Sequence, residues 1–139
     1  MRIITLVLSF FCIFQTKADS YADVGLPMIH VFSQDDYDAH NQNWDIEQAD
    51  NQFIYVANGN GLLEFDGETW QLYATPNRSR VREIEIVDDK IYAGTSNDLG
   101  YYQANEQGIL TFHSLLHLIA EENRQFGDVL SVVALNDYV

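Results

Sequence analysis

Basic residues and cysteine are what this chain has least of. Lys and Arg number 7 against 21 Asp and Glu, a formal charge of −14. A protein that grips duplex nucleic acid or an anionic membrane needs a cationic face to neutralise phosphates, and this balance excludes that class. No nucleic-acid partner is expected. The single cysteine, Cys12, sits in an apolar run near the start, so no disulfide framework can staple the fold. Only 2 prolines interrupt the chain, and no apolar run reaches the roughly 20 residues that cross a bilayer. Apolar side chains, by contrast, are plentiful. Of 139 residues 47% are hydrophobic, with 8 Tyr and 8 Phe, which is enough for one packed domain and points to strands.

The first segment reads as an export address. Met1-Arg2 is a short basic start, Ile3 to Phe14 is mostly apolar, and Gln15-Thr16-Lys17-Ala18 is polar with a small residue at its end. That is the layout of a secretory signal peptide over 1–18, with a cut as late as Ala22 the alternative. Cys12 leaves with it. Loss of Arg2 and Lys17 leaves 5 basic residues against 21 acids, a charge of 5 − 21 = −16. The mature chain is therefore expected to be acidic, cysteine-free and periplasmic or otherwise extracytoplasmic.

After a lead-in over 19–43, short apolar runs alternate with turn residues. Trp44-Asp45-Ile46, Phe53 to Ala57, Leu62 to Phe65 and Thr69 to Tyr73 predict four antiparallel strands, with Asn58-Gly59-Asn60-Gly61 and Asp66-Gly67 as turns. The pattern then recurs. Ile91-Tyr92-Ala93-Gly94-Thr95 follows Ile54-Tyr55-Val56-Ala57-Asn58 at an offset of 37, and Leu99 to Tyr102 takes the place of Leu62 to Phe65. Val132 to Val139 matches Ile84 to Ile91 at an offset of 48, the extra residues falling near 115–125. The expected units are one over 44–80, a second over 81–127 with an insertion at 115–125, and the truncated start of a third over 128–139.

Repeats of about 40 residues with four strands each mark β-propeller blades. The expected fold class is all-β, a partial β-propeller of about two four-stranded blades plus the start of a third. One blade cannot bury both of its faces, so the chain is expected to be an N-terminal fragment of a larger propeller protein. A small stand-alone β-sandwich is the competing fold.

These residues resemble the two-component regulator propeller repeat. The likeness rests on Trp44-Asp45-Ile46, Ile54 to Asn58 and Gly61 to Gly67 with Trp70, then on Val81 to Ile84, Ile91 to Gly94 and Leu99 to Tyr102. Gly25-Leu26-Pro27 and Asp36-Tyr37 look like its lead-in. The resemblance implies a periplasmic sensor region of many blades. In such proteins a β-sandwich, a transmembrane helix and a cytoplasmic histidine kinase, diguanylate cyclase or transcription-factor module follow. It implies as partners a periplasmic ligand, the remaining blades and a membrane-bound signalling module. This chain carries no kinase or cyclase motif, so it is expected to sense and bind rather than catalyse. The alternatives are a fragment of a secreted propeller hydrolase or quinoprotein, and a truncated product without independent function.

The ligand-binding candidates are Trp44, Trp70, Arg78 and Arg80. The tryptophans are amphipathic plates that either pack between neighbouring blades or stack on a sugar. Arg78, Arg80 and Arg82 form the only basic cluster. On alternating strand positions they could recognise a carboxylate or sulfate, or simply pair with surface acids. A glycan or another periplasmic ligand is the expected partner. His113 and His117 stand four apart and would share a helical face with Glu121, a trio that could hold zinc; the intervening leucines favour an ordinary apolar docking segment. Asp35, Asp36 and Asp38 lack the glycine and terminal glutamate of a helical calcium loop. Asn58-Gly59-Asn60-Gly61 has no lysine and no helix after it, so a hairpin is expected there rather than a phosphate cradle. No catalytic set, metal site or cofactor is expected.

Overall fold

In a computed structural model of the chain the described residues are Gly25 and Pro27 to Leu135. The export segment over 1–18, Cys12 and residues 136–139 lie outside them. Two units separate, 1–30 and 31–139, and the described regular structure belongs to the second.

That second unit is all-β. A single helical turn, α1 (Gln34–Tyr37), precedes β1 (Asn43–Gln48), β2 (Ile54–Asn58), β3 (Gly61–Phe65) and β4 (Trp70–Tyr73). These four strands form an antiparallel sheet in sequence order, and β5 (Val81–Val87), β6 (Lys90–Thr95), β7 (Leu99–Ala104) and β8 (Leu110–Ser114) form a second of the same order. β-Branched and aromatic residues at alternating positions build the strands, and short polar links reverse them. Between β2 and β3 only Gly59 and Asn60 are unpaired, with Asn58 opposite Gly61. Gly61 holds φ +142°, and a Cβ there would strike the Tyr73 carbonyl; no other residue fits.

The two sheets repeat each other in register as well as in order. Tyr55 pairs with Glu64 as Tyr92 pairs with Tyr101, and Val56 with Leu63 as Ala93 with Gly100. The 37-residue offset of the sequence is thus an offset of structure. The first strands carry a further signature. Pairing skips Trp44 between Asn43 and Asp45, and skips Arg82 between Val81 and Glu83. An extra residue at equivalent places, 38 apart, bends both first strands alike.

The sheets meet face to face. Tyr55, Ala57 and Leu62 from the first and Val81, Ile84, Ile91, Ala93 and Tyr102 from the second form one buried cluster. Leu62 and Val81 are 0% exposed, and each contributes about 2 kcal/mol by leaving water. The Tyr102 hydroxyl donates to the Tyr73 carbonyl at 3.2 Å, and burial pushes its phenol far above the ordinary range. At the edge of this seam β5 lies along β1. Asp45 accepts the Ile84 N–H at 3.0 Å and Glu47 the Ile86 N–H at 2.9 Å. Two donors on an edge strand are thereby satisfied by the neighbouring sheet.

On the opposite face of the first sheet Val56 and Leu63 cluster with Ala39, and Tyr37, Ile54, Trp70 and Leu72 pack against them. Past β8 the expected insertion is a pair of 3-10 turns, Leu116–Leu118 and Glu121–Asn123. His113 stays in β8 while His117 enters the first turn, so the two share no helical face, because β8 extends through Ser114. Of the third unit expected at 128–139, the described residues show Asp128 bridged to Ser96 and the Val129 N–H donated to the Thr95 carbonyl at 3.0 Å.

Candidate functional site

Two hollows meet at Trp44. One is a groove of about 390 Å³ on the outer face of the first sheet, lined by both tryptophans, Phe32, Tyr37 and Ile46. Trp70 stacks on Phe65 with centroids 4.7 Å apart, and Phe32 and Tyr37 meet it edge-on at 5.3 and 5.8 Å. Trp70 therefore packs on the face turned away from the second sheet and not in the seam of the two described sheets, because its register with Phe65 puts it on the same side as Leu63 and Val56. Its indole N–H is buried and has no acceptor, the one such side-chain atom among the described residues. Leaving a buried donor unpaired costs about 1–3 kcal/mol.

The other hollow is a cleft of about 430 Å³ at the strand-entry end of the seam, lined by His40, Gln42, Trp44, Gly59, Arg78, Ser79, Arg80 and Ser96. Its lining follows from the repeat. His40, Gln42 and Trp44 stand where Arg78, Arg80 and Arg82 stand 38 residues later, so the lead-ins of both sheets converge on one place. Arg82 lies over the Trp44 ring, its guanidinium carbon 4.5 Å from the centroid, and joins Asp128 at 3.6 Å.

Three of the four candidates line this cleft: Trp44, Arg78 and Arg80. Trp70 lines only the groove. The arginines do not alternate along a strand, since β5 begins at Val81 and only Arg82 belongs to it. Arg78 and Arg80 sit instead on the connection after β4. That connection is a turn closed by Arg78 N–H to Thr75 carbonyl at 2.9 Å, with Pro76 in the position that suits its fixed φ. Buried Thr75 donates from its hydroxyl to the Ser79 carbonyl at 2.9 Å, and the Asn77 amide reaches Ser96 at 3.3 Å. Arg78 is held at φ 53°, a left-handed conformation that side chains rarely adopt. Neither the Arg78 nor the Arg80 guanidinium has an ion-pair or hydrogen-bond partner among the described residues.

His40 and Gln42 were not visible as site residues in the sequence. What holds His40 is Asn58, 0% exposed. Its Oδ1 accepts the N–H groups of His40 (3.1 Å) and Asn60 (2.9 Å), and its Nδ2 donates to the His40 carbonyl and to Asn43 Oδ1, both at 2.6 Å. All of this amide's bonding capacity is used. The His40 ring lies on Gly59, where any Cβ would collide with it. Gln42 N–H donates to His40 Nδ1 at 3.0 Å, which leaves the proton of the neutral ring on Nε2. The 38-residue correspondence of His40 with Arg78 was the signal that could have found it.

The acids sort differently. Burial raises the Glu47 carboxyl above its usual value, opposed by the Ile86 N–H and assisted by Glu85, Asp45 and Glu83. Burial, then Asp45 and Glu85, raises Glu83. These carboxylates crowd along the first strands, while none lines the cleft. His113 stacks on Tyr101 at 5.1 Å, Asp36 accepts the Ser33 N–H at 2.6 Å, and no cluster of three metal-binding side chains occurs among the described residues. Compared with protein-family models, curated proteins and solved structures, the chain matches none.

Proposed function

We propose that this chain is the ligand-binding part of an extracytoplasmic sensor, built from consecutive β-propeller blades and non-catalytic in itself. The observation that carries the reading is the seam. Two four-stranded meanders of equal order, register and bulge position stack face to face, which is how propeller blades bury surface that one blade leaves open. Their first strands adjoin, and the cleft opens where both lead-ins arrive. A ligand there touches two blades at once and favours whichever docking of the blades it fits best. A membrane-bound signalling module that reads blade docking would receive that preference as a signal. A glycan suits Trp44, where groove and cleft adjoin, its ring offering a stacking surface and the arginines offering donors.

Expressed with its own leader in a Gram-negative host, the chain is expected in the periplasmic fraction. Its melting temperature is expected to rise with at least one member of a panel of neutral and acidic saccharides and small carboxylates. Retention in the cytoplasm, or a flat response across the whole panel, overturns the reading.

A further inference from the structure

We infer that the cleft between the two lead-ins binds a small organic oxyanion, its carboxylate or sulfate held by Arg78 and Arg80 and its ring lying toward Trp44. This deepens the binding-module reading and rests on it.

Charge is the first argument. The chain carries 21 acids and 7 Lys and Arg, yet the cleft has two arginines in its wall and no carboxylate. Both guanidinium groups lack a partner among the described residues, although acids outnumber bases threefold and an exposed guanidinium readily finds one. Donor-bearing side chains line it: two guanidinium forks, which match a carboxylate or sulfate bidentately, and His40, whose Nδ1 is already taken by the Gln42 N–H. An oxyanion satisfies all of them, and a neutral hydroxyl cannot pair a fork.

The second argument is a precedent within the molecule. The lead-in at Asp128 corresponds to Arg80 at the 48-residue offset, and Ser96 corresponds to Gly59 at 37. There the chain supplies its own carboxylate: Asp128 accepts from the Ser96 hydroxyl and pairs with Arg82 at 3.6 Å. The corresponding position at the first seam has an arginine in place of the acid and, in place of the serine, a glycine covered by the His40 ring. The cleft is thus the version of this position whose anion must come from outside. Its volume, about 430 Å³, falls within the range of small-molecule sites, and Trp44 bounds one side.

Calorimetric titration of the full chain at low salt tests this with three probes: glucuronate, glucose and sodium sulfate. Glucuronate is expected to bind at least 10-fold more tightly than glucose, to weaken as salt rises, and to be displaced by sulfate. Both Arg78→Gln/Arg80→Gln and Arg80→Asp are expected to weaken glucuronate at least 10-fold. Because both side chains are exposed, circular dichroism and melting should stay as in the parent chain. Equal affinity for glucose and glucuronate, or an unchanged affinity in the double variant, overturns the assignment. Should a neutral saccharide bind unaffected by either variant, the binding module stands and the anion cleft falls. Should nothing in the wider panel bind, both fall.

Discussion

The two places where one lead-in crosses the end of a preceding sheet are built on one plan and finished differently. At the first, Gly59 and Arg80 flank an open cleft; at the second, the corresponding Ser96 and Asp128 bond to each other and Asp128 reaches Arg82. The polar buried residue beneath each crossing differs as well. Asn58 ties down the His40 segment with four hydrogen bonds, whereas Thr95 donates once, to the Asp98 carbonyl at 3.0 Å. A repeat therefore conserves backbone geometry while leaving the side chains at its crossings free to close a gap or keep it open. The open crossing has the more elaborate support, which is what holding an unfilled site requires.

Substitutions that interchange the two crossings test this, and the largest effect belongs to Asn58. Asn58→Leu strands two backbone N–H groups and a carbonyl at a half-buried place and should cost about 3 kcal/mol, against about 1 for Thr95→Val, where one hydrogen bond is lost. Urea unfolding of both variants gives the ratio; equal costs would mean the crossings are supported alike. Next comes Gly59→Ser, which copies the second crossing into the first. Its Cβ cannot coexist with the His40 ring, so overpacking should cost about 2 kcal/mol, while Ser96→Gly should cost about 1 by losing the Asp128 bond. Thermal melts should place them in that order.

Arg82→Ala removes both the stack on Trp44 and the pair with Asp128, and should cost about 1 kcal/mol, since both contacts are partly exposed. Trp44 emission should change with it, most clearly in a Trp70→Phe background, where Trp44 is the only tryptophan left. An unaltered spectrum would show that β1 and β5 do not touch at Trp44 and Arg82 in solution.

The smallest effect is the pH dependence of the seam. Glu47 and Glu83 have folded carboxyls raised above the ordinary 4.5, chiefly by burial. The folded chain thus holds these protons more tightly than the unfolded chain does. That contribution is complete below 4.5 and is lost as pH rises through the folded values, so stability should decline with pH above 4.5. Glu47→Gln and Glu83→Gln should raise the melting temperature at pH 7 and change it little at pH 4. Glutamine at 47 still offers Ile86 an acceptor. A larger gain at pH 4 than at pH 7 would reverse the assignment of burial as the cause.

Much of this was legible in the chain itself. Ile54-Tyr55-Val56 and Ile91-Tyr92-Ala93 announce equivalent strands because alternation and turn residues act locally, within a few residues of one another. The strands, the hairpin at Gly59-Asn60 and the 37-residue period all follow from that local chemistry. Trp44, Arg78 and Arg80 were recognisable as unusual, the tryptophan for its size and the arginines for their scarcity. Their convergence was not. Nor was the parity that turns Trp70 outward, the start of β5 only after Arg80, or the role of His40, whose segment is held by a buried amide 18 residues away.

By itself the sequence determined the all-β architecture, the four-strand repeat and the acidic surface, because those depend on residue type and spacing along the chain. Only the tertiary structure decided which residues share a hollow, that no acid lines the cleft beside Arg78 and Arg80, and that one crossing is closed by Asp128 while the other stays open. The reason is that a seam brings together residues about 38 positions apart by stacking whole sheets. Pairing across that distance is set by register, bulge and packing, and no stretch of sequence short enough to read locally contains it.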